Sequence, residues 1–215
     1  MLGPRKASFQ MKQQISDADL KEAQNLFEKA CALTKGELIL HDNQGRKPPG
    51  FWKKLQLKRA AKLLERVLLL APNHWNSMWI LGKTVQRLGN EKAAFEWFVK
   101  AWDQKPKNVN VAREAALSAM HLGLSRHAIG YCEEAVKLEP NNSGLVSNLA
   151  LSLLHDGRPE QALVMAERAF AMDANDKVNE NVLRIIKHIA TTKSPCPKNG
   201  EELNAYCKNH KDIFR

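Results

Sequence analysis

Small and helix-breaking residues recur along this chain at one fixed interval. Four sets of positions, which we call columns, carry the same residue type every 34 residues. They are Gly89, Gly123 and Gly157; Pro72, Pro106 and Pro140; Ala60, Ala94, Ala128 and Ala162; and Ala101, Ala135 and Ala169. A period of 34 residues is typical of stacked helical hairpins, and the alanines stand where helices would have to approach closely. Solenoids of this kind usually offer a surface to a partner. The period therefore predicts a repeat protein whose activity is binding.

The segment 75–108 indicates how one period folds. Apolar residues at helical spacing stop at Leu88, and Gly89 can adopt the left-handed conformation that ends a helix. A second apolar stripe, with Phe98 on its buried face, ends before Pro106, which cannot continue the helix. The sequence therefore predicts a hairpin of two helices of about 14 residues each.

These residues resemble the tetratricopeptide repeat, whose pattern combines a Leu-Gly pair, a later Gly, an Ala-x3-aromatic-x2-Ala run and a closing Pro. The matching residues of the first unit are Leu81, Gly82, Gly89, Ala94, Phe98, Ala101 and Pro106. Three repeats follow from the resemblance, at 75–108, 109–142 and 143–176. The third departs from the pattern, because Ala166 replaces the aromatic residue and Ala174 replaces the proline. The resemblance implies an all-α fold, a right-handed α-α superhelix (solenoid) of tetratricopeptide-type helical hairpins.

The segments outside 75–176 follow the pattern less closely. They are predicted to be a flexible N-terminus at 1–16, a degenerate N-terminal hairpin at 17–74 with an inserted loop at 35–50, a capping helix at 177–190, and a C-terminal tail with a short helix at 191–215. In the hairpin, a helix from Asp17 to Leu33 would pack against one from Leu57 to Leu70. An alternative is that the first of these helices is the remnant of an earlier repeat.

Composition and charge narrow the class of protein. The chain is 44% hydrophobic and 26% charged, which is ordinary for a soluble globular protein. It has no apolar run long enough for a transmembrane segment and no pattern of a secretion signal, so we expect a cytoplasmic protein. Its four scattered cysteines fit a reducing compartment. The net charge of +10 is uneven, with +7 in residues 1–74 and −4 in residues 109–176.

The resemblance also implies where a ligand would lie, because the first helices of successive hairpins line a concave groove in that family. Spacing assigns the following residues to a partner-binding groove: Asn76, Trp79, Ile80, Lys83, Arg87, Asn110, Arg113, Glu114, Leu117, His121, Asn148, Leu151, His155 and Asn181. Arg113 can form a forked contact with a carboxylate, and Asn148 with Asn181 can hydrogen-bond an extended peptide backbone. We expect the main anchors near Trp79, Arg113 and Leu117. The alternative is that these side chains only solvate the groove.

A basic patch lies in the segment from Phe51 to Leu64. Its cations are Lys53, Lys54, Lys58, Arg59 and Lys62. One interpretation is contact with an anionic surface, which would be membrane lipid, acidic protein or nucleic acid. The other, which the sequence favours, is the exposed face of a helix whose apolar side packs in the core.

The chain offers little support for catalysis or for a bound metal. It lacks a Gly-rich phosphate loop, a His-Glu-x-x-His motif and a nucleophile elbow, so we expect no enzyme activity. His188, Cys196, Cys207 and His210 are zinc-type ligands, but Cys196 and Cys207 lack the short spacing of paired zinc ligands. We expect no cofactor and no metal site.

The sequence therefore predicts a non-enzymatic adaptor or scaffold that binds a protein or peptide partner in the concave groove. An acidic partner would suit the basic end of the chain. One alternative is a secretion-type chaperone for a client protein, which resembles this chain in having about three repeats after an N-terminal helix but tends to be acidic. Another is RNA or other nucleic-acid binding through the basic N-terminal part, against which the acidic stretch 109–176 counts.

Overall fold

The computed structural model describes residues 15–38 and 47–214. Residues 1–14 of the predicted flexible N-terminus and residues 39–46 of the predicted loop therefore lie outside the described part of the chain. Within it there are ten α-helices, one 3-10 helix and no β-strand. The helices are α1 (Asp17–Thr34), α2 (Phe51–Leu70), α3 (Trp75–Arg87), α4 (Glu91–Gln104), α5 (Val109–His121), α6 (Ser125–Leu138), α7 (Ser143–His155), α8 (Pro159–Met172), α9 (Lys177–Thr192) and α10 (Gly200–Asn209), followed by a 3-10 turn (Lys211–Phe214).

Consecutive helices pack into hairpins, and each hairpin packs on the next. The pairs are α1 with α2, α3 with α4, α5 with α6 and α7 with α8, and α9 then packs against α7 and α8. The first helices α5, α7 and α9 also contact one another in sequence and form one layer of the array. The architecture is an all-α solenoid of helical hairpins, as the 34-residue period predicts.

Glycine is required where the first helix of each repeat ends. Gly89, Gly123 and Gly157 have φ angles of 91°, 70° and 76°, in the left-handed region that favours glycine. The next first helix restarts after an asparagine cap: the side-chain oxygen of Asn108 accepts hydrogen bonds from the backbone N–H groups of Asn110 and Val111, at 3.0 and 3.2 Å. The recurring glycines and asparagine caps thus mark where these helices end and begin.

Small residues lie where helices cross most closely. The alanine columns that define the period are buried to within about 1% exposure: Ala60, Ala94, Ala128, Ala162, Ala101, Ala135 and Ala169. At Gly82 the approach is closer still, because a Cβ atom there would lie 2.6 Å from Cε1 of the buried Phe98 ring. The Leu-Gly pair of the repeat pattern therefore has a steric cause.

The N-terminal pair of helices packs onto the first repeat. Ala30 of α1 is buried in one cluster with Ala60 and Leu64 of α2 and Leu81 of α3. The helix α2 begins at Phe51, six residues before the predicted start, so its first turns extend beyond the apolar columns.

At the other end, α9 covers the last repeat with Val182, Ile186 and Ile189, which are buried. The chain then reverses at Lys193, whose φ is 52°, and α10 returns along the array. No helix in the described residues is both long enough and apolar enough to span a membrane.

Candidate functional site

A cavity of about 480 Å³ opens on the layer formed by the first helices. Side chains of α5, α7 and α9 form most of its lining, and α10 forms one wall; we call this cavity the groove. Eight of the predicted groove residues line it: Lys83, Arg113, Glu114, Leu117, His121, Asn148, Leu151 and His155. The structure therefore brings together the predicted residues of the second and third repeats except Asn110, with one from the first.

The other six predicted residues do not line the groove: Asn76, Trp79, Ile80, Arg87, Asn110 and Asn181. Trp79 packs against the cluster of Met78 and Val111, so the expected anchor contributes to packing between repeats. Arg87 instead pairs with Glu37, at 3.5 Å. The cavity thus covers the C-terminal part of the predicted groove, and a role of the other six residues in binding stays a prediction.

Asn181 is replaced in the groove by Asn179. The buried stripe of α9 runs through Asn179, Val182, Ile186 and Ile189, at i, i+3, i+7 and i+10, which leaves Asn181 exposed. Ser147 fixes this face, because its hydroxyl donates a 2.5 Å hydrogen bond to the side-chain oxygen of Asn179. The last helix therefore departs from the register of the repeats.

Sequence reasoning also missed the part of the lining that comes from helix ends and from the tail. The residues concerned are Gln86, Met120, Asn142, Leu145, Asp176, Val178, Val182, Gly200, Leu203 and Asn204. The apolar positions on α9 were visible in its stripe, but nothing in the repeat spacing places α10 beside α5. A Cβ atom at Gly200 would lie 3.1 Å from Cδ2 of His121, which shows how closely the two segments approach.

A buried ion pair forms part of the groove floor. The ammonium of Lys83 donates to Oε2 of Glu114 at 2.8 Å, and both residues are 1% exposed. Burial raises the pKa of Glu114 above its usual range, and the attraction of Lys83 opposes this shift only in part. The other carboxylate oxygen, Oε1, is buried and has no hydrogen-bond partner among the described residues.

Two further polar groups in the lining lack partners within the described chain. The side-chain nitrogen of Asn179 makes no hydrogen bond there, although Asn179 is fully buried. His155 is 8% exposed, and neither of its ring nitrogens has a hydrogen-bond partner there. Burial lowers the pKa of His155 to about 4, with a smaller contribution from His121, while Glu202 on α10 acts in the opposite direction. His155 is therefore neutral near pH 7.

At the end of the groove beside His121, the Glu91 carboxylate of α4 links side chains of α3 and α5. Glu91 accepts hydrogen bonds from Gln86, at 3.0 Å, and from the hydroxyl of Ser118, and it pairs with His121 at 3.6 Å. Burial alone would raise the pKa of Glu91, but the hydrogen bonds from His121, Ser118 and Gln86 outweigh it and lower that pKa. Arg113 is oriented within its own helix, because its Nη2 donates to Oδ1 of Asn110 at 2.9 Å.

The predicted basic patch lies elsewhere, on α2. Of its five cations, Lys53 pairs with Glu37 at 3.7 Å. The aromatic side chains of Phe51 and Trp52, at the start of the same helix, are each 74% exposed. The cations stand on the exposed side of a helix whose other side, Leu57, Ala60, Leu64 and Val67, is buried, although its first turn has no buried residue.

The two zinc-type histidines near the C-terminus, His188 and His210, form an aromatic cluster with Tyr206. The Nδ1 atom of His188 lies 2.7 Å from the hydroxyl of Tyr206, whose ring stacks on that of His210 with centroids 4.2 Å apart. In the described ranges, no three His, Cys, Asp or Glu residues are grouped so that they could hold a metal ion. Cys196 and Cys207 are free thiols.

Comparison with known proteins finds the same fold in tetratricopeptide-repeat proteins. The family model of the tetratricopeptide repeat matches residues 131–164, from α6 into α8. No curated protein matches the chain.

Many solved structures are similar in fold. The tetratricopeptide-repeat protein YrrB, described as having an unusual peptide-binding site, has a TM-score of 0.66 at 17% identity, over 92% of this chain and 91% of its own. MamA from Desulfovibrio magneticus RS-1 has a TM-score of 0.65 at 13% identity, over 94% of this chain and 96% of its own. The first such domain of Spaghetti (RPAP3), bound to an HSP90 peptide, has a TM-score of 0.51 at 20% identity, over 54% of this chain and 93% of its own.

Proposed function

We propose, from the premise that this chain is a tetratricopeptide-repeat protein, that it is a non-enzymatic adaptor whose groove binds an extended segment of a protein partner. The fold supports this proposal, because solenoids of helical hairpins usually offer a surface to a partner. The groove supplies the more specific statement, because its size and its unpaired polar atoms suit a peptide backbone.

The unpaired buried atoms of the groove are the observation that carries this proposal. Oε1 of Glu114 is an acceptor without a donor, and the side-chain nitrogen of Asn179 is a donor without an acceptor. Leaving such a group unsatisfied costs about 1–3 kcal/mol, so native proteins rarely leave several together without a function. Both residues line the groove. An extended peptide presents N–H and C=O groups alternately and offers a partner for each of these covered atoms once their side chains turn toward it.

Apolar residues beside these atoms offer room for side chains of the ligand. Leu117, Leu151 and Val182 line the same cavity, on three successive first helices. Because the hairpins are packed into one array, most of the ordering entropy on binding falls on the ligand. Affinity is therefore expected to come from a few anchors on this floor.

The charges of the groove do not favour a strongly acidic segment. Its lining carries two cations, Lys83 and Arg113, and two carboxylates, Glu114 and Asp176. This balance suits an uncharged or mixed sequence, and the expected acidic partner stays a prediction. Among the similar structures, the descriptions of YrrB and of the Spaghetti domain name peptide binding, which supports the same use of this fold.

The test is selection of ligands from a phage-displayed library of random dodecapeptides, followed by calorimetric titration of the best peptide. Asn179→Ala should weaken binding by about tenfold or more, since a hydrogen bond to a buried group contributes about 1–3 kcal/mol. The matched control is Asn181→Ala, which makes the same change two residues away on the exposed face of α9. Its affinity should equal that of the wild type.

Because Asn179 also bonds Ser147, each variant is first compared with the wild type by thermal unfolding. Equal affinities of the two folded variants would contradict the proposed site. Peptide binding itself would be contradicted if the library yielded no phage whose binding is displaced by the same peptide free in solution.

A further inference from the structure

Two aromatic side chains stand out of the protein at the start of α2. Phe51 and Trp52 are each 74% exposed, and their rings meet edge to face, with centroids 5.3 Å apart and planes at 78°. Large aromatic residues are usually at least half buried, because each removes 150–250 Å² of surface from water when it is covered. Two adjacent exposed rings therefore indicate a contact surface more than a packing element.

The helix behind these rings is strongly basic. From Phe51 to Leu64 the sequence contains five cations and no carboxylate. Lys53 and Arg66 have acidic partners at 3.7 and 3.1 Å, on Glu37 and Glu22. The remaining cations, which have no ion pair within the described residues, are Lys54, Lys58, Arg59 and Lys62.

Helical spacing places these cations and the rings on one outward face. Phe51, Lys58 and Lys62 stand at i, i+7 and i+11, and Trp52 and Arg59 stand at i and i+7. The opposite side of α2 is occupied, because Leu57, Ala60, Leu64 and Val67 are buried in the core. We call the outward set, Phe51, Trp52, Lys54, Lys58, Arg59 and Lys62, the basic-aromatic face.

We propose that the basic-aromatic face docks the protein on an anionic phospholipid bilayer. Aromatic rings favour the boundary between headgroups and acyl chains, and adjacent lysine and arginine side chains are attracted to anionic lipids. Leu69 stands on the same side near the far end of α2, beyond the exposed Glu65: it is 82% exposed and lies 18 residues after Phe51, about 27 Å along the helix. A helix lying flat on a membrane would bring both ends into contact.

The geometry favours lipid over nucleic acid. Bases that stack on a protein need ring faces that can receive successive, parallel bases, together with a basic channel that follows the backbone. The rings of Phe51 and Trp52 stand at 78° to each other, on the outward side of a single helix. The groove is built from other helices, so this inference does not depend on the peptide-binding proposal.

The test is binding of the full chain to large unilamellar vesicles by co-sedimentation. One set of vesicles contains phosphatidylcholine alone, and the other contains phosphatidylcholine with about 30% phosphatidylserine. The wild type should bind the anionic vesicles and not the neutral ones, and binding should weaken with salt. Phe51→Ala with Trp52→Ala should lower the partition constant by about tenfold or more. Replacing Lys54, Lys58, Arg59 and Lys62 with glutamine should lower it by at least about 100-fold.

A matched control removes the same net charge from another surface. Its four substitutions to glutamine are at Lys92, Lys105, Lys107 and Arg126, which are exposed on other elements. Retained binding in this control and lost binding in the two α2 variants would support the proposal. All substituted positions are exposed, so the variants should fold, and circular dichroism checks this.

Equal losses in the two four-fold variants would overturn the proposal, because they would show a response to net charge alone. Absence of binding by the wild type would overturn it too. Fluorescence anisotropy with a single-stranded 20-nucleotide DNA completes the test: tight binding that requires Phe51 and Trp52 would assign the face to nucleic acid.

Discussion

Replacing Lys83 with methionine should destabilise the protein far more than replacing Lys83 and Glu114 together. The Lys83 ammonium and the Glu114 carboxylate are 2.8 Å apart, and both residues are 1% exposed. Methionine has nearly the length of lysine but leaves the carboxylate buried without its counter-charge. Removing one partner of such a pair costs about 3–5 kcal/mol, a large share of the roughly 5–15 kcal/mol that stabilises an ordinary protein.

The loss should depend on pH. Burial already raises the pKa of Glu114 above 4.5, and without Lys83 this pKa must rise further. The buried charge is penalised only where the unfolded chain carries an ionised carboxylate. The destabilisation of Lys83→Met should therefore be greatest near neutral pH and should shrink as the pH falls toward 4.5.

The double variant Lys83→Met with Glu114→Leu removes both charges and fills the space with apolar atoms. Its free energy of unfolding should lie within about 1–2 kcal/mol of the wild type, or above it, because a buried ion pair contributes little net stability. Urea unfolding at pH 7 and pH 5, followed by circular dichroism at 222 nm, measures all three proteins. A loss below about 1 kcal/mol in the single variant would show that the pair behaves like an exposed one, which contradicts its burial. A double variant as unstable as the single one would refute the reasoning.

Two other features of the fold make separate predictions. Gly82→Ala should lower the free energy of unfolding by about 1–3 kcal/mol, because the added Cβ would lie 2.6 Å from the buried Phe98 ring. The control is Gly130→Ala on α6, where the added Cβ meets open space and should raise the melting temperature. A loss of stability in the control would contradict the steric explanation. The pKa of His155 is about 4 in the folded protein and 6.5 in the unfolded chain. Its contribution to the free energy of unfolding is therefore complete above pH 6.5 and decreases by about 3 kcal/mol as the pH falls to 4. In urea titrations across that range, His155→Leu should depend less on pH than the wild type, and an unchanged pH dependence would show that another group is responsible.

The fold was largely predictable because its signals are local and repeated. A glycine that must adopt positive φ, such as Gly89 or Gly157, marks a helix end in the sequence itself. The start of α2 was not predictable, because Phe51 and its neighbours lie before the first apolar column and have no counterpart in the other repeats. The extra turns carry the aromatic half of the basic-aromatic face.

The groove was predictable only where neighbouring helices keep the register of the repeat. Lys83 and Glu114 stand 31 residues apart, so the 34-residue columns do not pair them, and their contact depends on the angle between α3 and α5. Asn179 replaces Asn181 because the apolar stripe of α9 differs from those of the repeats. The wall formed by α10 depends on a chain reversal at Lys193 that no column marks.

Photo-crosslinking from the groove floor shows directly whether a peptide binds there. Benzoylphenylalanine is placed at Leu151, which lines the groove, or at Val164, which is 57% exposed on α8, and each protein is irradiated with the peptide selected on the wild type. We expect a crosslink from position 151 that excess free peptide abolishes, and little crosslinking from position 164. Equal crosslinking from both positions, or crosslinking from position 164 alone, would contradict a peptide site in the groove.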